Sequence, residues 1–102
     1  MTLIVLFNLK EGASVQDYEH WANTVDVPTV KRLDSVDDFK VFKMAGILGT
    51  DAPAPYQYVE IIEVNDPDML GQEIASETMQ RVAAEFQTFA DQPIFMIAGQ
   101  IA

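Results

Sequence analysis

The chain has 102 residues; 49% are hydrophobic, none is cysteine, and 16 acidic side chains against 6 basic ones give a net charge of −10. That length and apolar fraction imply one domain, residues 1–102, with a thin core, and they come without the cysteines of a disulfide framework, an iron–sulfur centre or a cysteine-ligated zinc site. The acidic balance opposes binding to nucleic acid backbones and to anionic lipid, and it suits a cytoplasmic surface.

Thr2 to Leu9 reads as a strand apolar on both faces, with Leu3, Val5, Phe7 and Leu9 on one and Ile4 and Leu6 on the other, so it needs cover on both sides. It lacks the basic start and small-residue cleavage pattern of a signal peptide, and no stretch reaches the roughly 20 apolar residues of a membrane span, so a cytoplasmic, membrane-free protein is expected. Ser14 to Asp17 resembles a helix cap, and Val15, Tyr18, Trp21 and Val25 form the buried stripe of the helix that follows. Pro28 disfavours helical geometry at Val27, which predicts a helix end there and one further short turn over 29–33.

Phe39 to Leu48 alternates as a second strand, and Asp51 to Pro55 is a stiff loop leading to a third strand, Tyr56 to Val64. Asn65-Asp66-Pro67 opens a short helix that ends near Ala75, and a longer helix runs from Glu77 to Phe89. Pro93 to Ile101 is the last strand, its proline tolerated at the start. The order βαββαβ predicts an α+β, ferredoxin-like sandwich: a four-stranded antiparallel sheet with helices on one face. Whichever parity points inward, the first and last strands offer apolar residues to the other face. Pairing with a second copy of the chain is the commonest way to cover such a patch.

The element order, the Tyr18–Trp21 helix, the broken second helix ending in Glu85-Phe86-Gln87-Thr88-Phe89 and the short strand after Pro93 resemble the dimeric α/β-barrel superfamily of antibiotic-biosynthesis monooxygenases and EthD-like proteins. Within it, the chain is most similar to the REDY-like family, which is linked to prodigiosin-type pigment biosynthesis. The resemblance covers essentially the whole chain. It implies a dimeric α/β barrel and a hydrophobic aromatic or pyrrolic ligand. Chemistry of the cofactor-independent monooxygenase type is implied as well, with no cofactor expected. One departure weakens inherited chemistry: EthD-like members carry a histidine just before a proline after the first helix, and this chain reads Asp26-Val27-Pro28 there.

Among single residues, His20 is the only histidine, and it lies off the apolar stripe. It is either a rim residue or, if it lines a cleft, the natural acid–base group. One histidine without convergent ligands gives no metal site. Tyr18 and Trp21 on the stripe, and Phe42 on its strand, are core residues or the walls of a ligand pocket. Tyr56, Tyr58 and Glu60 alternate along one strand face, so an interior Glu60 would have a raised pKa and could take a proton from an activated aromatic ligand. The competing reading is an edge strand whose polar face meets solvent. Arg81 could hold an anionic group, although an ion pair with Glu77 or Glu85 accounts for it equally simply. The catalytic candidates are therefore Glu60, His20 and Tyr56, with Tyr18, Trp21, Phe42, Tyr58 and Arg81 as ligand contacts. A non-catalytic homodimer that binds a ligand, or one that is purely structural, is the alternative.

Overall fold

The computed structural model describes residues 1–102. Strand β1 (Thr2–Leu9) sits inside a four-stranded sheet, flanked by β3 (Tyr58–Val64) and β4 (Ala90–Ala98), with β2 (Val36–Lys43) on the outer side of β3. Every neighbouring pair is antiparallel. Helices α1 (Val15–Trp21), α2 (Val27–Lys31), α3 (Pro67–Glu73) and α4 (Glu77–Phe89) complete the ferredoxin-like α+β architecture that the order of elements predicts. Three of the helix starts are fixed locally, as the Ser14, Asp66 and Ser76 side chains each accept the backbone N–H three residues on.

Pairing register decides what each face holds. Val5 lies opposite Glu60 and Phe95, Phe7 opposite Tyr58, and Val41 opposite Glu60, so these side chains share the face covered by the helices. Phe7 is fully buried there, edge-on to Tyr18 at 5.5 Å and to Phe86 at 5.0 Å, and stacked with Tyr58 at 5.4 Å between ring centres. The other face carries Ile4, Leu6 and Ile61 near its middle and Phe42, Ile94 and Met96 toward its edges. Phe42, Ile94 and Met96 are exposed on it, and no helix packs on that side.

Several boundaries differ from the sequence reading. The first helix does not end before Pro28. A π-helical turn (Ala22–Asp26) joins α1 to α2 without a break, and the Val27 N–H reaches back to the Ala22 carbonyl. The extra residue widens the coil just ahead of Pro28, which has no N–H to give and would otherwise crowd the carbonyl four residues earlier. β2 ends at Lys43 and β3 begins at Tyr58, because Pro53 and Pro55 lack donors and Gly46 and Gly49 turn the chain with positive φ. β4 begins directly after α4 at Ala90. A bulge opposite β1, with Gln92 at φ 44°, sets Pro93 inside an edge strand, where no ladder donor is needed.

Candidate functional site

Between the inner sheet face and the helices lies a cavity of about 340 Å³. Leu3, Phe39 and Ile62 form its floor, Val30 of α2 and Leu70 of α3 its sides, and Met79, Val82 and Phe86 of α4 its roof. Thirteen of its 16 lining residues are hydrophobic, and the polar ones are Asp26, Glu60 and Gln80. The volume suits a small aromatic molecule, and few polar groups on apolar walls is the usual make-up of such sites.

The two carboxyls arrive from different elements. Glu60 follows from strand alternation, inward with Tyr58 and Ile62. Asp26 closes the π turn: Tyr18, Ala22, Asp26 and Val30 recur every four residues and all are buried. Asp26 is 5% exposed and Glu60 3%, and Glu60 Oε1 has no hydrogen-bond partner. Burial raises the Asp26 pKa to about 7. Burial, then the charge of Asp26, raises that of Glu60 to about 8. The Tyr18 hydroxyl, buried and also without a partner, is pushed well above the usual phenol range by burial and then by Glu60 and Asp26. Near neutrality the cavity thus holds carboxyls poised to accept or release a proton.

Of the residues singled out in the sequence, Glu60 alone lines this cavity. Tyr18 and Tyr58 line a second one of about 230 Å³ beside α1 and β2, together with Glu19, Asn23 and Lys43. The Tyr58 hydroxyl donates to Glu19 Oε2 at 2.7 Å, and Lys43 Nζ stands 3.2 Å from the same oxygen. These two partners hold the Glu19 carboxyl below the usual range. Because Glu19 is partly exposed, the bond is worth less than a buried charged one. Tyr58→Phe should lower stability by about 1 kcal/mol, read from the urea midpoint; an unchanged midpoint would show that the bond contributes nothing net.

Trp21 is a core residue stacked on Phe86, its Nε1 donating to Glu85 Oε1 at 3.2 Å. His20 is exposed and lines neither cavity. Phe42 stands on the open sheet face. Tyr56 precedes β3 and lines neither cavity, and the phenol whose pKa the charge of Glu60 raises is Tyr18. Arg81 is exposed and makes no ion pair; Glu85 is engaged by Trp21 instead. The residue that sequence reasoning missed as a site member is Asp26, and its signal was an acid in line with Tyr18 and Ala22 at spacings of four. No three His, Cys, Asp or Glu side chains gather in a way that could hold a metal, and no helix is long and apolar enough to cross a membrane.

A family model described as REDY-like protein HapK matches residues 1–101. No curated protein matches the chain. Among solved structures, HapK from Hahella chejuensis is similar at 26% identity and a TM-score of 0.72, covering 100% of this chain and 99% of that one. An EthD-like protein from Ralstonia eutropha is similar at 16% identity and a TM-score of 0.77, covering 99% and 91%. A dimeric ferredoxin-like protein of unknown function from Thermobifida fusca is similar at 11% identity and a TM-score of 0.68, covering 93% and 85%.

Proposed function

The chain belongs to the REDY-like protein HapK family, and from that premise we propose that it works as a homodimer that takes a small hydrophobic aromatic or pyrrolic molecule of secondary metabolism into the cavity above the sheet, where Glu60 moves a proton on it. The observation that carries this reading is a buried, unpartnered carboxyl with a pKa of about 8 facing a mostly apolar space. An acid of that strength exchanges protons readily near neutral pH, whereas an ordinary surface glutamate is far too weak a base. Apolar walls keep water from a reactive, deprotonated ligand. An electron-rich ligand of this kind would then react with dioxygen directly, in the manner of a cofactor-independent monooxygenase. One oxygen atom stays on the ligand carbon as a carbonyl, and the other leaves as water with the two hydrogens that carbon carried. The dimeric ferredoxin-like relative and the open apolar sheet face support the homodimer, and the acidic, cysteine-free chain supports a cytoplasmic setting.

Two variants separate binding from chemistry. Ala83 lines the cavity, and Ala83→Trp should abolish binding of the apolar fluorophore N-phenylnaphthylamine by filling that space. Glu60→Gln should keep the fluorophore bound while lowering oxygen uptake with a panel of pyrrolic and polyphenolic substrates by at least about 100-fold. Unchanged fluorophore binding in the first variant, or unchanged turnover in the second, would remove the respective half of the reading.

A further inference from the structure

The charge balance of the cavity is one-sided. Asp26 and Glu60 are its only ionisable lining residues, and no Lys, Arg or His faces it from the sheet or from any helix. The Tyr18 hydroxyl is coupled to both carboxyls, and it is a further polar atom buried without a partner. Gln80, from α4, is neutral. A ligand carrying a carboxylate, phenolate or phosphate would be buried with no cation to balance its charge, and it would be repelled outright once the two acids ionise. A ligand without donors would leave Glu60 Oε1, which has no partner within the protein, unsatisfied once that carboxyl ionises. A positively charged nitrogen with two or more N–H groups would satisfy both acids at once, as charge-assisted hydrogen bonds. The net charge of −10 adds a field that concentrates cations at the surface.

We infer that the ligand of this cavity is an apolar molecule bearing a cationic nitrogen donor, of the amine, imine or amidine class, held between Asp26 and Glu60. This rests on the proposed reading of the cavity as the ligand site, and it narrows that reading to one charge type. Its consequence is proton release on binding near neutrality, since a cation displaces the protons that the two acids otherwise keep. Asp26 and Glu60 are the titrating groups that line the cavity, and Tyr18, also facing them, stays neutral throughout.

Benzamidine, benzamide and benzoate have nearly the same shape and differ in charge, so they serve as probes for the full-length protein by titration calorimetry in buffers of different ionisation enthalpy. Benzamidine should bind at least about tenfold more tightly than benzamide at about pH 9, with benzoate weakest. Its advantage should shrink toward about pH 6, and proton release should appear between. The double change Asp26→Asn with Glu60→Gln should bring benzamidine down to the level of benzamide. If benzamide binds as tightly as benzamidine, or benzoate binds best, the cationic assignment is wrong while the cavity remains a ligand site. If none of the three binds, both the assignment and the ligand site fall. The comparison among probes in the unaltered protein decides the matter even if the double variant does not fold.

Discussion

Raising the pH from about 5 to about 9 should lower the melting temperature of this protein by on the order of 10–20 °C. The sign follows from the two cavity acids. Their ordinary values are 3.8 for Asp26 and 4.5 for Glu60, and the fold moves them to about 7 and about 8. Between those limits the unfolded chain has released both protons and the folded chain still holds them. The unfolded state therefore binds fewer protons, and folding stability falls as pH rises across that window. Above about pH 8 both states are ionised and the curve levels off with the full cost of two buried charges in place. A tenfold change in proton affinity is worth about 1.4 kcal/mol, so the pair together amounts to several kcal/mol. The partly exposed acids act elsewhere. Glu19, Asp38 and Glu73 have lowered values, so they stabilise above the ordinary carboxylate range and lose that contribution only as pH falls below it. The double change Asp26→Asn with Glu60→Gln should flatten the profile between about pH 5 and about pH 9 while leaving the acid limb intact. A melting temperature already flat over that range in the unaltered protein would mean that the cavity acids are solvated, and the candidate site would lose its chemical basis.

What could be read from the residues was whatever depends on regular geometry. Strand alternation placed Glu60 on the same face as Tyr58 and Ile62, and β1 pairing then set that face against the helices. Capping residues at Ser14 and Asp66 announced two helix starts that the fold keeps, and the longer helix begins at Glu77 as read, with Ser76 as its cap. What escaped depended on irregularities. An ideal stripe through Val15, Tyr18, Trp21 and Val25 leaves Asp26 at its margin, but the π turn inserts a residue and brings Asp26 fully inside. Pro28 looked like a stop signal, and the same π turn is what lets the helix pass through it. Tyr56 was grouped with Glu60 on the assumption that the strand began at residue 56; the prolines of the preceding loop delay it to Tyr58. The site thus sits where local rules are broken, one acid on a widened helix turn and the other buried in a strand that would more easily carry a valine.

The second large effect concerns the sheet face that the helices leave bare. Leu6 stands near its centre on β1, opposite Val59 on one side and Ile94 on the other. The unaltered chain should sediment at micromolar concentration with twice its 11.4 kDa mass, since isologous pairing of two such faces buries Ile4, Leu6, Phe42, Ile94 and Met96 against their counterparts. Leu6→Glu sets a carboxylate in the middle of that contact in both copies, close to its symmetry mate and with no cation introduced. Burying an unpaired charge costs at least several kcal/mol, so the dimer dissociation constant should rise by about a thousandfold or more. The isolated fold should tolerate the change, because Leu6 is only half-buried in the monomer and a longer side chain there can reach water, and the far-ultraviolet dichroism should stay as it was. A matched substitution at an exposed helix position, Arg81→Glu, alters the net charge further without touching the sheet, so it should leave the dimer intact. If Leu6→Glu sediments as the unaltered protein does, the copies do not meet across this face. If the unaltered chain is itself a monomer at that concentration, the bare face is not an interface, and the barrel shared between two sheets is excluded along with it.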